Sequence, residues 1–255
     1  MCLILVAWRT HPDYPCIIAA NRDESFARAS APAHWWTEAP HILAGRDLAA
    51  GGTWLGITRA GRFAALTNFR RPGTLRSDAR SRGLLVADML NFPGSVEEGL
   101  ERLQRDGGRY NGFNLMFSDG RDLGVYESVS GVAHRLGPGI YGLSNHLLDT
   151  PWPKVQTAKA RLQAALGGIE DPAAVLALLR DDRPANDADL PRTGVNLEWE
   201  RLLSSAFVRG IEYGTRASTL IRVHRAGSAL FDEWSWDSTG LQIGRQSFEF
   251  MLSAS

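Results

Sequence analysis

The chain of 255 residues is short of cysteine, of lysine and of net charge, and each shortage narrows what it can be. Two cysteines, Cys2 and Cys16, cannot build a disulfide framework. No apolar run approaches the ~18 residues of a membrane-spanning helix. The run 2–8 is too short for the apolar part of a secretion signal, and no basic stretch precedes it. The acceptor pattern Asn-x-Ser/Thr is missing throughout. These absences predict a reduced, cytoplasmic chain. The 28 basic and 28 acidic residues cancel, so no long-range field draws it to nucleic acid or to an anionic membrane. The histidines form no ligand pair at helical spacing and there is no C-x-x-C, so neither a metal site nor a cofactor is expected. A G-x-S-x-G elbow is also missing. Gly137-Pro138-Gly139-Ile140-Tyr141-Gly142 fits G-x-G-x-x-G, yet proline sits inside it and no helix follows, so a dinucleotide loop is excluded.

What remains is an ordinary globular composition, 44% apolar and 22% charged. A chain this long buries roughly 70–75% of its unfolded surface and needs no staple. Short apolar, branched runs read as strands at 3–8, 16–20, 54–58, 63–67, 113–117, 124–127, 132–136, 140–143, 217–223, 229–234 and 248–252, several parted by glycine turns. Helices are expected at 84–90 and 96–105, the second opened by the capping-box pair Ser95 and Glu98. Three more are expected at 154–166, 173–179 and 197–204, and Asp171-Pro172 supplies an N-cap and a first-turn proline for the middle one. Strands in blocks and helices in blocks predict an α+β fold of antiparallel sheets. The polar segment 181–193 reads as a long loop, and strands resume after it. One domain over 1–255 is expected.

The candidate chemistry begins at Cys2. Methionine before a small residue is commonly trimmed, which would make Cys2 the first residue. Its α-amine, with a pKa near ~7.7–8.0, can then take the thiol proton without a histidine. The turn-rich stretch Thr10-His11-Pro12-Asp13-Tyr14-Pro15 folds 3–8 back on 16–20 as a hairpin. A turn centred on Pro12 and Asp13 sets Cys2 opposite Asp23 and Arg9 opposite Cys16, and a slip of one residue would swap the faces. Asp23 can then hold the amine, with Asn21 on its face and Arg22 on the other. The same hairpin keeps Cys16 far from Cys2. The plain alternative is a small apolar residue and a solvated strand end.

Three more polar residues end apolar runs: Asn68, Asn145 and Arg216. Asparagine amides can donate to an oxyanion, or simply cap turns; arginine can orient a thiolate or hold a carboxylate. Arg70, Arg71, Arg76, Arg80 and Arg82 cluster after Asn68, as an anion-binding rim or as a solvated loop. Trp35, Trp36 and Trp54 suit core packing or the lining of an apolar pocket.

The ordered set Met1-Cys2, Asn21-Arg22-Asp23-Glu24, Gly51-Gly52-Thr53-Trp54, Leu66-Thr67-Asn68, Asn111-Gly112-Phe113-Asn114, Gly142-Leu143-Ser144-Asn145-His146, Thr150-Pro151-Trp152-Pro153-Lys154 and Tyr213-Gly214-Thr215-Arg216 resembles the NRDE-motif family of transport and Golgi organisation type 2 proteins. That family in turn resembles the N-terminal nucleophile hydrolases of the penicillin V acylase and choloylglycine amidase branch. The resemblance implies a four-layer αββα sandwich. It implies Cys2 as nucleophile of a non-peptide amide hydrolysis, with Asp23 as partner of the amine. Asn145 and Asn68 would stabilise the oxyanion and Arg216 would orient the thiolate. Asn21 and Arg22 complete the catalytic group, and Glu24, Trp54, Arg70 and Arg71 would contact a small-molecule substrate. One departure stands out: the amidase branch carries arginine three residues before the aspartate, where this chain has Ala20. The alternative that the family implies is non-catalytic, a carrier of a small amphipathic ligand such as haem or acyl-CoA on the same fold.

Overall fold

Strand β1 (Cys2–Trp8) sets the architecture through its alternation. Leu3, Leu5 and Ala7 face one way, Ile4, Val6 and Trp8 the other, and both faces are buried. A strand apolar on both sides must sit between two layers. The computed structural model describes residues 2–253 and supplies those layers. β1 lies in a six-stranded antiparallel sheet with β2 (Cys16–Ser25), β10 (Gly139–Leu143), β11 (Tyr213–Val223), β12 (Ser228–Trp236) and β13 (Gln242–Met251), in the order β10-β1-β2-β11-β12-β13. The odd residues pack on helices α3 (Pro153–Ala165) and α4 (Pro172–Leu179) through Val155, Ala158, Leu162 and Leu178.

The even residues meet the second sheet. It holds β3 (Ser30–Trp35), β4 (Ile42–Asp47), β5 (Leu55–Thr58), β6 (Phe63–Asn68), β7 (Phe113–Ser118), β8 (Leu123–Glu127) and β9 (Val132–Leu136), in chain order. Leu43, Leu55, Ile57, Ala65 and Met116 close on Ile4, Val6 and Ile18 between the sheets. Its outer face carries α1 (Arg82–Asn91) and α2 (Val96–Asp106), packed through Val86, Met89, Leu90 and Leu100 on Leu66 and Leu115. The result is a helix–sheet–sheet–helix sandwich, the expected α+β class. A short helix, α5 (Leu197–Leu202), follows the long loop.

The helix signals act as expected. Ser95 Oγ accepts from the Glu98 N–H, and Glu98 Oε2 accepts from the Ser95 N–H at 2.7 Å. Asp171 caps α4 by accepting from the Ala173 N–H. Strands β3 and β4 were not among the expected ones. β3 contains Pro32, lies at the sheet edge and breaks register between Ala31 and His34, which is where a sheet tolerates proline. β4 ends in Gly45-Arg46-Asp47, which reads as a turn.

Candidate active site

The hairpin register differs from expectation by one residue. Cys2 lies opposite Arg22, and Trp8 opposite Cys16. The connection runs from Arg9 to Pro15, an odd number of residues, so it centres on a residue rather than on a bond. Arg9 takes the left-handed conformation (φ 52°) and its N–H donates to Pro15 O, which closes the turn. The consequence is chemical: Cys2 and Arg22 share the inter-sheet face, and Asn21 and Asp23 turn toward α3 and α4.

At this end the sheets diverge into a cleft of about 640 Å³. Cys2, Arg22, Asp23, Glu24, Trp54, Asn68 and Arg216 line it. Arg216 gets there by a bulge: β2 pairs Asp23 with Thr215 but Arg22 with Ala217, so Arg216 is the extra residue. Bulges re-aim side chains in this way. Its guanidinium donates to Ser25 O at 3.1 Å and to Arg28 O.

Asn145, two residues beyond the end of β10, is fully buried and lies behind the cleft rather than on its lining. Its Nδ2 donates across the sandwich to Asn68 O at 2.9 Å, and its own carbonyl accepts from the Arg70 N–H at 2.7 Å. Ser144 Oγ donates to Cys2 O at 3.1 Å, which ties this segment to the nucleophile strand. A carboxamide carries two N–H groups, so one bond to Asn68 leaves a second donor.

Burial governs the titrating groups. It pushes the Cys2 thiol up, with the Asp23 carboxylate adding to the effect; the Arg22 charge and a backbone hydrogen bond from Asp23 pull the other way. Burial also raises Asp23, opposed by Lys154, by Thr215 and by Arg70. Thr215 Oγ1 donates to Asp23 Oδ1 at 2.7 Å, and the Tyr213 hydroxyl to Asp23 O. Lys154, on the first turn of α3, is brought down to about 8 by burial, with Asp23 countering. Its Nζ donates to Leu203 O.

Other candidate residues lie elsewhere. Asn21 uses its amide to bind Leu179 O and Ala206 O and accepts from Ser218 Oγ, on the helix side of the sheet. Arg70 is buried in an ion pair with Glu200 at 3.1 Å, over the Trp152 ring. Arg71 is exposed, and neither residue lines the cleft. Of the arginine cluster, Arg80 and Arg82 reach it, while Arg76 donates to Gly108 O. Met1, and with it the question of its removal, lies outside the described residues.

Sequence reasoning missed Glu233, which lines the cleft from β12. Burial lifts it to about 7, while the Ala33 N–H donates to its Oε1 at 2.7 Å. Two acids, Asp232 and Glu233, inside the apolar run 229–234 were the available signal. Among the described residues, no three His, Cys, Asp or Glu side chains converge as metal ligands, and no helix is long and apolar enough to cross a membrane.

The site is therefore a thiol on a strand end, at the floor of an arginine-lined cleft between two antiparallel sheets. The chain belongs to the Transport and Golgi organisation 2 family, whose model matches residues 1–238. It is 36% identical to the cattle Transport and Golgi organization protein 2 homolog over 281 residues, covering 97% of this chain and all of that protein. The human homolog is 35% identical over 280 residues, with both chains covered in full. Among solved structures, a C2A mutant of conjugated bile acid hydrolase from Clostridium perfringens is similar at a TM-score of 0.47 and 12% identity, covering 99% of this chain and 92% of that one.

Proposed function

We propose that the protein is a cysteine amidohydrolase that cleaves a non-peptide C–N amide bond of a small molecule, with Cys2 as nucleophile. The observation that carries this reading is the position of Cys2, on the first residue of a strand and in the wall of the cleft beside Arg22, Asp23 and Asn68. With Met1 removed, the Cys2 α-amine takes the thiol proton while Asp23 holds the amine. The need for a proton acceptor follows from the burial that raises the thiol. The sulfur attacks the carbonyl carbon, and the spare N–H of Asn145 with Asn68 stabilises the oxyanion. Arg216 orients the thiolate. The C–N bond breaks, and the α-amine returns its proton to the leaving amine. Water then hydrolyses the thioester and releases the carboxylic acid. Free Cys2 and Cys16 suit a reduced, cytoplasmic setting.

The test is hydrolysis of a panel of N-acyl amino acids and N-acyl amines. Cys2→Ala is expected to lose activity by about 10³-fold or more, and an electrophile should label Cys2 as activity falls. Cys2→Ala working at the wild-type rate would end the proposal.

The second reading, a carrier of haem or acyl-CoA without turnover, draws support from the arginines of the cleft. It is favoured if the wild type binds either ligand saturably and hydrolyses no amide.

A further inference from the structure

The two sheets end on β3, β9, β10 and β13, and the first three of these edges are guarded. β3 carries Pro32 and a broken register, while β9 and β10 are short, each five residues, the latter with two glycines. Such devices keep an edge from pairing with another chain. β13 is ten residues long, without proline or lysine, and its one irregularity lies near its start, at Ile243. Its hydrogen-bonding directions follow from the register. The Leu252 N–H donates to Gly227 O, so along 244–252 the residues of even number turn their backbone groups toward β12. Arg245, Ser247, Glu249 and Met251 therefore point N–H and C=O outward, along an edge that no other strand of the described residues covers.

The side chains along that edge are self-complementary. Arg245, Ser247 and Glu249 share one face of the strand and are exposed. Arg245 Nη2 donates to Asp232 Oδ1 at 2.9 Å, and Ser247 Oγ donates to the same oxygen at 2.8 Å. Asp232 also holds the buried Arg222 at 2.9 Å, so two arginines share one carboxylate and a positive charge is left over. Glu249 lies opposite Leu230 on β12 and has no cation across from it. Two copies of β13 laid antiparallel about a two-fold axis at Ser247 set Arg245 opposite the partner's Glu249, once on each side of the axis. Moving the axis by one residue parts the charges, because Arg245 then meets the partner's Ser247 or the partner's Met251. On the other face the same register sets Gly244 opposite the partner's Phe250, so the glycine leaves room for the ring.

We propose that β13 is a homodimer interface, on which a second copy of this chain pairs its own β13 in antiparallel register centred on Ser247. Arg245, Ser247 and Glu249 each exchange both backbone hydrogen bonds with the residue opposite. The two ion pairs fix the register, and the two-fold symmetry lets one surface serve both sides. Ile243 and the partner's Met251, largely exposed in the single chain, meet at the ends of the ladder. The pairing also bears on the cleft. Ile243, Gly244 and Gln246 line it, so the partner's Phe248 and the partner's Phe250 continue its wall beyond β13. The interface is independent of the hydrolase reading, because it needs no chemistry at Cys2.

Sedimentation velocity of the full chain over a range of concentrations tests it. The wild type is expected to associate reversibly into dimers. Glu249→Arg opposes like charges on both sides of the axis and is expected to weaken the dimer about tenfold or more. An equal mixture of Glu249→Arg and Arg245→Glu is expected to recover it, because both cross-strand pairs again have opposite signs. Ser247→Cys reads the register. Its thiol faces its own copy across the axis, at the Cα separation of about 5.5 Å that a disulfide spans. Mild oxidation is expected to give a covalent dimer on a non-reducing gel, whereas Glu249→Cys, which faces the partner's Arg245, gives none. If Arg245→Glu does not fold for want of its bond to Asp232, Glu249→Arg and Ser247→Cys decide without it. A wild type that stays monomeric at every concentration would overturn the proposal. So would a dimer that Glu249→Arg leaves intact, or a Ser247→Cys that cross-links no better than Glu249→Cys.

Discussion

Glu233 shows how burial at a single residue becomes a property of the whole protein. An ordinary glutamate titrates near ~4.3, and burial holds this one at about 7. Between those values the unfolded chain has lost a proton that the folded chain still holds. Stabilisation by the protonated form is therefore complete below about 4.3 and is lost as pH rises to 7, by on the order of 3 kcal/mol. Glu233→Gln keeps an acceptor for the Ala33 N–H and removes the titration. Denaturant unfolding at pH 4.5 and pH 8 should show the variant gaining on the wild type at the higher pH. Parallel behaviour of the two proteins would refute the burial account. Glu233 and Lys154 were hidden in the sequence for one reason: a charged residue in a strand or helix reads as solvated until packing on both sides is known. Asn68, Asn145 and Arg216 were legible as polar residues ending apolar runs, and Cys2 as the residue that trimming of Met1 would make first; Cys2, Asn68 and Arg216 line one cleft, and Asn145 is bonded to Asn68 behind it. Arg70 was legible as a cation but not as the partner of Glu200, which lies 130 residues away.

Local element geometry decides which of these residues face the cleft. A one-residue difference in the β1–β2 turn moves Arg22 to the Cys2 side and Asp23 to the helix side. Hydrophobic alternation could not fix that register, because both faces of β1 are apolar. The bulge at Arg216 was equally invisible, since an extra residue in one strand leaves no mark on composition. The opposite wall depends on a close approach of two backbones. A Cβ added at Gly52 would lie 2.2 Å from the Gly83 carbonyl carbon, beside the bond from the Thr53 N–H to Gly83 O. Backbone cannot yield as a side chain can, so Gly52→Ala must push α1 away. We expect a loss of roughly 1–3 kcal/mol, read as a lower melting midpoint, together with weaker ligand binding as Arg82 is displaced. An unchanged midpoint would show that the contact is not needed.

At the scale of the molecule, the core between the sheets draws on both of them, from Ile4 and Ile18 to Leu43 and Ile57. We infer from this sharing that 1–255 behaves as one domain, as the sequence predicts. The class of fold was legible because strands and helices come in blocks and the caps of α2 and α4 are explicit. The partition into two sheets was not, since no local pattern says that β10 leaves its chain neighbour β9 to pair with β1. The sandwich places the start of β1, the ends of β6 and β10 and the start of β11 at one rim. The function proposed here turns on that rim and on a single covalent fact, a free α-amine on Cys2. The most direct test is the intact mass and N-terminal peptide of active protein purified from cells. The account predicts a mass lacking Met1, with Cys2 as the first residue. Full amidase activity in protein that retains Met1 would contradict it.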